Sequence, residues 1–257
     1  MHCERVAVVI PAKNESDRIG ATVRAARAIP RVDLIVVVDD GSTDNTGEIA
    51  RAAGATVVRH SVNHGKASAL ETGSSVVAMR DADGVPPRAV LFLDADTGDS
   101  AIECAALIEP VVRGTADMTI AYLPPQQGAG GHGIVTGYAK RWIWRLTGWI
   151  PRQPLSGQRC LNREALEAAF PLAAGWGVEV GMTIDLLCQG FTVQEIPCPI
   201  FHRASGRNLA GQIHRATQYR DVIRAVVSRR LRRIHVPKKN RNTTPPQPGM
   251  PFTAFVR

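Results

Sequence analysis

Short apolar runs and longer amphipathic stretches alternate through the first half of the 257-residue chain. Val6–Ile10, Leu34–Val38, Ala55–Val58, Ala89–Leu93 and Asp117–Ala121 are apolar, rich in β-branched residues, and four to five residues long, which predicts buried strands. Between them, Ser16–Ala28, a segment capped by Ser42 or Thr43 and running to about Ala53, Lys66–Met79 and Ser100–Val112 carry apolar residues at helical spacing. Continuous apolar strands alternating with helices predict an α/β fold with a mostly parallel sheet covered on both faces. Such sheets bind ligands beyond the carboxyl ends of their strands. The polar clusters Lys13–Glu15, Asp39–Asp44 and Asp94–Asp96 each follow a strand directly.

The pattern changes after Ala121. Residues 123–133 (LPPQQGAGGHG) read as a flexible loop, Ile134–Trp149 as a helix holding three of the four tryptophans, and Ser156–Leu161 as an extended stretch followed by a helix from Arg163. Val178–Cys188 is predicted as a helix, Phe191–Ile196 as a strand and Leu209–Leu231 as a long helix. From about Val236 the PPQPGMP composition predicts a disordered basic tail. The expected organisation is a ligand-binding half over 1–122, a second half with the long helix over 123–233, and a tail over 234–257.

The net charge of +8 gains meaning from this division. Eight Lys and Arg and no acidic residue lie between Arg229 and Arg257, so residues 1–228 carry 23 of each sign. The body therefore lacks the electrostatic excess of a nucleic-acid-binding protein, and no nucleic acid is expected. Five scattered cysteines without a CxxC spacing argue against a zinc site or disulfide framework and fit a reducing cytosol. No apolar run reaches the length of a membrane span, and the N-terminal run is too short for a signal peptide.

Two carboxylates one residue apart, Asp94 and Asp96, at a strand end can face one hard cation such as Mg²⁺ or Mn²⁺. A lone DxD triplet is common; the strand before it and the second acidic strand end at Asp39-Asp40 strengthen the reading. No glycine-rich phosphate loop of the GxGxxG or GxxxxGK[ST] type is present. Carboxylates at Asp39 and Asp40 suit donors such as a base N–H or ribose hydroxyls, while Ser42, Thr43 and Asp44 also suit helix capping.

Taken together, Ile10-Pro11-Ala12-Lys13-Asn14-Glu15, Val38-Asp39-Asp40-Gly41-Ser42-Thr43-Asp44, Asn63-His64-Gly65-Lys66 and Asp94-Ala95-Asp96 resemble, in order and spacing, the nucleotide-sugar half of GT-A glycosyltransferases of the family 2 type. The resemblance covers roughly residues 5–122. It implies a GT-A, Rossmann-like single catalytic domain with an acceptor-side C-terminal subregion and a nucleoside diphosphate-sugar donor, a UDP-sugar favoured. It implies that Pro11, Ala12 and Glu15 line the nucleoside pocket, that Asp39 or Asp40 holds the base, that Lys66 lies near base and diphosphate, that Asp94 and Ala95 contact the nucleotide-sugar, and that Asp96 binds the metal with Asp94 on ribose or metal. A divalent ion bridging the phosphates would act as a Lewis acid on the leaving group, and Lys66 would add a fixed charge.

In the second half, Gly175-Trp176-Gly177-Val178-Glu179-Val180-Gly181 with Ile184-Asp185, and His202-Arg203 beyond the next strand, resemble segments of the glucosyl-3-phosphoglycerate synthases. That resemblance implies His202 as a metal ligand, Glu179 close to the transferred sugar, and Gly133, Val135, Thr136 and Arg203 at the acceptor. Two departures stand out: Gln158 replaces a glutamate in Pro154-Leu155-Ser156-Gly157-Gln158, and Ile134 replaces the arginine that clamps the acceptor's anionic group. Lys140, Arg141, Arg203 or Arg207 are the compensating cations within reach of sequence reasoning.

The expected activity is metal-dependent hexosyl transfer, with glucose favoured, to a small phosphorylated or carboxylated acceptor such as 3-phosphoglycerate. A polyprenyl-phosphate acceptor is the alternative, with the aromatic and basic Tyr138–Trp149 segment in peripheral contact with the inner face of the membrane. The blander expectation for that segment is packing on the core or on a second copy in a homodimer, and the expected location is the cytoplasm. A nucleotidyltransferase is the alternative of another class; PAKNE after the first strand, where such enzymes carry a glycine-rich loop, speaks against it.

Overall fold

The computed structural model describes residues 4–123, 133–200, 209–242, 244, 247 and 249–255, with side chains in the last helix from residue 216 onward. Seven strands form one sheet: β1 (Val6–Ala12), β2 (Val32–Asp40), β3 (Thr56–His60), β4 (Ala89–Phe92), β5 (Met118–Tyr122), β6 (Arg159–Leu161) and β7 (Val193–Pro197), in the order β3-β2-β1-β4-β6-β5-β7. The β1–β2, β1–β4, β2–β3 and β5–β7 pairs are parallel. β6 runs antiparallel to both its neighbours, β4 and β5. The expected mostly parallel α/β sheet is therefore present, with one short reversed strand in its interior, next to the central β4.

Strand alternation divides the core in two. Val9, Val36, Val38, Val90, Phe92 and Ile120 face α3 (Lys66–Met79), α5 (Ile134–Thr147), α6 (Arg163–Ala168), α7 (Val178–Cys188) and α8 (Leu209–Leu231). Val8, Ile10, Ile35, Val37 and Leu91 face α1 (Ile19–Arg27) and the Gly98–Val112 segment on the other side. Successive side chains on a strand point to opposite faces, so runs apolar at every position need cover on both. Each such aliphatic side chain contributes roughly 1.5–3 kcal/mol on full burial.

Three local expectations give way to the structure. α2 spans Thr46–Ala52 and starts later than Ser42 or Thr43. Those residues are used elsewhere: Ser42 Oγ accepts from the Asn14 N–H at 3.0 Å, and the Thr43 N–H donates to Asn14 Oδ1 at 2.8 Å. The predicted helix over Ser100–Val112 is a 3₁₀ segment at Gly98–Leu107 that becomes helical only as α4 (Ile108–Val112). Pro110 has no N–H for the preceding turn, and the Leu107 carbonyl accepts from Thr119 Oγ1 at 2.7 Å instead.

The third correction concerns the C-terminal stretch. Val236, Phe252 and Ala254 are fully or almost fully buried. Phe252 pairs with Val193 through two backbone hydrogen bonds, of 2.8 and 2.9 Å, and its ring stacks on Trp149. The polar composition hides three apolar anchors that dock this segment on β7 and α5. The tryptophan-rich helix packs in part as the blander reading expects: Trp149 is buried, and Trp142 sits between the guanidinium groups of Arg145 and Arg230 at 5.1 and 4.5 Å from its ring centre. Among the described residues no helix is long and apolar enough to cross a membrane.

Candidate functional site

A cavity of about 1340 Å³ opens at the carboxyl ends of β1, β2 and β4. Its walls include Pro11, Ala12, Glu15, Asp40, Lys66, Asp94, Ala95, Asp96 and Thr136, so nine residues singled out from the sequence meet on one surface.

Hydrogen bonds from neighbouring elements set the position of each. The Asp94-Ala95-Asp96 turn after β4 is pinned from α1: Thr22 Oγ1 donates to the Ala95 carbonyl and accepts from the Gly98 N–H, both at 2.8 Å, and Arg18 donates to the Asp96 carbonyl at 3.2 Å. Asp40, at the end of β2, accepts from the N–H groups of His64 and Gly65 at 2.8 and 2.7 Å and pairs with His60 at 2.8 Å. Burial alone would raise the Asp40 pKa, but the His64 N–H, the His60 ring and the Gly65 N–H together hold it below the usual carboxylate value. Asp40 thus anchors the Asn63-His64-Gly65 turn that delivers Lys66 as the first residue of α3.

A cation in the first turn of a helix opposes the helix dipole, typically by 0.3–1 kcal/mol. Two carboxylates compensate here. Lys66 Nζ donates to Asp94 Oδ1 at 2.7 Å and to Glu179 Oε1 at 2.8 Å, and lies 5.8 Å from the centre of the Trp176 ring. Burial would lower the lysine pKa; Asp94 and then Glu179 outweigh it and raise the value above the ordinary lysine range, so the ammonium stays charged. Glu179 is buried in the first turn of α7, where the dipole favours its charge. Gln158 completes the cluster, donating from Nε2 to Asp94 Oδ2 at 2.8 Å. The amide that departs from the family pattern therefore supplies a donor to a carboxylate, where a glutamate would bring a second negative charge.

The remaining predicted residues fall elsewhere. Asp39 stands off the cavity, almost wholly buried beside α2, where Oδ1 accepts from the Ser42 N–H at 2.9 Å. Strand parity is the reason: Asp40 shares the face of Val36 and Val38, Asp39 the opposite one. Of the two carboxylates considered for the base, only Asp40 reaches the cavity wall. Gly133, with φ +64°, caps α5, and Val135 lies partly buried in its first turn; neither lines the cavity. Ile134 is 63% exposed. His202, Arg203 and Arg207 lie outside the described residues.

Among the described residues no three His, Cys, Asp or Glu side chains are grouped to hold a metal ion. Asp94 bonds Lys66 and Gln158 through its two oxygens, and Asp96 stands beside it on the cavity wall. A single carboxylate on the wall of a polar cavity fits Mg²⁺ or Mn²⁺, which commonly take one or two protein carboxylates and complete their shell with substrate phosphates and water.

Sequence reasoning missed several parts of this site. Arg152 and Gln153 line the cavity, as do Thr217, Gln218, Arg220 and Asp221 from α8. Asp221 holds the Gly175-Trp176-Gly177 turn against α8; a Cβ at Gly175, whose φ is +61°, would stand 2.2 Å from Asp221 Oδ2. Arg159 is buried and ties the 154–158 segment to α7: it donates to the carbonyls of Ser156 and Pro154 at 2.9 and 3.2 Å and to Thr183 Oγ1 at 2.8 Å, and Thr183 Oγ1 donates to the Glu179 carbonyl at 2.9 Å. The paired glycines of GWG were the available signal for the first contact, whereas nothing in the local pattern marks the others.

Comparison with known proteins agrees with the geometry. The family model for glycosyl transferase family 2 matches residues 7–157. Among curated proteins, the glucosyl-3-phosphoglycerate synthase of Mycobacterium tuberculosis is 32% identical over 200 residues, 70% of this chain and 60% of that protein. The glycosyltransferase AglJ of Haloferax volcanii is 27% identical over 207 residues, 79% of this chain and 65% of that protein. The chain thus spans less than two thirds of the length of these relatives. The crystal structure of the M. tuberculosis synthase with Mn²⁺, uridine-diphosphate-glucose and phosphoglyceric acid superposes with a TM-score of 0.71 at 26% identity, covering 92% of this chain and 82% of that one. The same synthase with Mg²⁺ and uridine-diphosphate gives 0.71 as well, over 99% of this chain and 88% of the other. With the matched region extending over more than half of its length, the chain belongs to glycosyl transferase family 2.

Proposed function

We propose that this protein transfers a hexose, glucose in the leading reading, from a nucleoside diphosphate-sugar to a small phosphorylated or carboxylated acceptor. The observation that carries the reading is the Lys66–Asp94–Glu179 cluster, braced by Gln158, on the wall of a cavity that also presents Asp96. The similarity to a synthase crystallised with uridine-diphosphate-glucose and phosphoglyceric acid supports the choice of donor and acceptor class.

In this reading the nucleoside packs on Pro11, Ala12 and Glu15. Lys66 holds a permanent positive charge close to the diphosphate, where negative charge builds as the glycosidic bond breaks. Asp94 and Glu179, both fixed by Lys66, orient sugar hydroxyls as acceptors of hydrogen bonds. Their orientation is set before substrate arrives, so little reorganisation accompanies the reaction. A Mg²⁺ or Mn²⁺ ion would be held by Asp96 together with phosphate oxygens, and would supply Lewis-acid stabilisation to the departing nucleoside diphosphate. The reaction then needs an acceptor hydroxyl brought to the cluster from the open side of the cavity, lined by Thr136 and the 152–158 segment.

The test is release of nucleoside diphosphate from a panel of nucleotide-sugars, with Mg²⁺ or Mn²⁺, in the presence and absence of phosphoglyceric acid. Acceptor-dependent release from UDP-glucose is expected, and Asp96→Ala is expected to abolish it. Retention of activity in that variant would defeat the metal assignment. Pyrophosphate formation from a nucleoside triphosphate and a sugar phosphate would replace the reading with nucleotidyl transfer.

A further inference from the structure

The structure assigns Arg152 as the residue that binds the anionic group of the acceptor, an inference that rests on the transfer reaction proposed above. The second half of the cavity needs a cation if the acceptor is a phosphate or carboxylate, and position 134 cannot supply one: Ile134 is apolar and exposed at the start of α5. Lys140 and Arg141, further along α5, do not line the cavity. Lys66 is held at the reacting end by Asp94 and Glu179, and Arg220 is paired with Asp221 at 3.1 Å. Lys13 also lines the cavity and is exposed, but it follows β1 beside Pro11 and Ala12, on the side read for the nucleoside. Arg152 stands on the other side. It lines the cavity, its side chain is exposed, and among the described residues no carboxylate forms an ion pair with its guanidinium.

The surroundings hold Arg152 in place by its backbone and leave its head group for a ligand. The N–H of Arg152 donates to both oxygens of the buried Glu195, at 2.8 and 2.9 Å, and the N–H of Gln153 joins them at 2.9 Å. The Gln153 amide clamps Leu123, accepting from its N–H at 2.7 Å and donating to its carbonyl at 2.8 Å. The guanidinium carbon lies 5.0 Å from the centre of the Tyr122 ring, a cation–π contact that orients the planar fork without using its N–H donors.

Position along the wall links this residue to the reacting end. Residues 152–158 all line the cavity as one continuous strip. At one end Gln158 touches Asp94, and at the other stands Arg152. A turn closed by the Ser156 N–H on the Gln153 carbonyl at 3.2 Å folds the strip back, holding those two Cα atoms within about 7 Å of each other. In this assignment a small acceptor presents a hydroxyl at the Asp94 end while its phosphate or carboxylate meets the fork of Arg152.

The experiment compares wild type with Arg152→Gln and Arg152→Lys. With UDP-glucose and Mn²⁺, Arg152→Gln is expected to raise KM for phosphoglyceric acid about 10- to 100-fold, the range of one charge-assisted contact, with a much smaller change in kcat and in KM for UDP-glucose. Arg152→Lys, which keeps the charge and loses the fork, is expected to fall between the two. An unchanged acceptor KM, or an equal rise in the donor KM, would overturn the assignment. Calorimetric titration of phosphoglyceric acid into protein with UDP and Mn²⁺ needs no turnover. At least tenfold weaker binding to Arg152→Gln is expected; equal binding, or none by wild type, would overturn the proposal. A wild type that binds the acid yet releases UDP from no nucleotide-sugar would instead defeat the transferase reading and leave the anion site standing.

Discussion

Adding one methyl group at Gly157 disturbs the cluster at its most crowded point. A Cβ there would lie 2.6 Å from Asp94 Oδ2, 2.7 Å from Asp94 Oδ1 and 2.7 Å from Lys66 Nζ. Ordinary contact begins near 3.4 Å, so the Asp94 carboxylate must retreat by about 0.8 Å. It is held on one side by Lys66 at 2.7 Å and on the other by Gln158 at 2.8 Å, and a shift of that size breaks one of these bonds. Loss of a charge-assisted hydrogen bond costs about 1.5–3 kcal/mol, partly offset by the 0.4–1 kcal/mol that alanine gains by restricting the unfolded chain. Gly157→Ala is thus expected to destabilise the protein by roughly 1–2 kcal/mol in urea denaturation. The effect on turnover is larger, on the order of 100-fold, because misplacing a reacting group by about 1 Å has that consequence. Gly137→Ala in α5 is the control: beyond its chain neighbours and the backbone of its own helix, no atom among the described residues lies within 4 Å of the added Cβ, so it should stabilise the helix by about 0.5–1 kcal/mol with turnover unchanged. Wild-type UDP release by Gly157→Ala would refute the claim that the Lys66–Asp94–Gln158 geometry sets the rate.

Three further outcomes are expected. Arg159→Met removes a guanidinium whose pKa burial pulls down to about 10 against the attraction of Glu179, Glu195 and Asp94; the carbonyls of Ser156 and Pro154 lose their donor, so the protein should be destabilised by about 1–3 kcal/mol while turnover drops more than tenfold, and unchanged turnover in the folded variant would sink the positioning role. Phe252→Ala should cost about 3–5 kcal/mol by thermal or urea unfolding, since the ring is buried on Trp149; a loss under 1 kcal/mol would return the C-terminal segment to the status of a loose tail. Asp40 has a folded pKa below its unfolded value of about 3.9, so its contribution is complete above that value and disappears as pH falls through the depressed one. The stability gap between wild type and Asp40→Asn should be flat from about pH 5 upward and close below about pH 4, and a gap that widens on acidification would contradict the assignment.

Particular residues show where sequence reasoning carries and where it stops. Val6–Ile10 and Leu34–Val38 are readable as central strands because burial on both faces removes every polar position, and the polar groups that end them are the ones the cavity collects. Lys66, Asp94, Asp96 and Glu179 come together because each stands at an element end, where turn chemistry leaves a local trace. The choice between Asp39 and Asp40 was available from parity with Val36 and Val38. β6 lies within the extended stretch read at Ser156–Leu161, but its reversed direction between β4 and β5 comes from long-range pairing that no local pattern carries. Arg152 and the α8 residues enter the cavity through long-range packing, which a local pattern does not encode. Phe252 and Ala254 are two apolar side chains in a proline-rich stretch, too few to register in composition yet sufficient to dock it.

The reversed strand β6 has a consequence for how the chain could be divided or borrowed. It enters the middle of the sheet from beyond residue 158, bonding to β4 on one side and β5 on the other. A fragment ending near residue 122 would keep its acidic strand ends but lose β6 between β4 and β5 and β7 beyond β5, exposing one edge of β4 and both edges of β5 to intermolecular pairing. It would also lose Gln158 and Glu179, leaving Lys66 and Asp94 unbraced. The first 122 residues are therefore not a transplantable module: the segment that completes the sheet also braces the charged cluster.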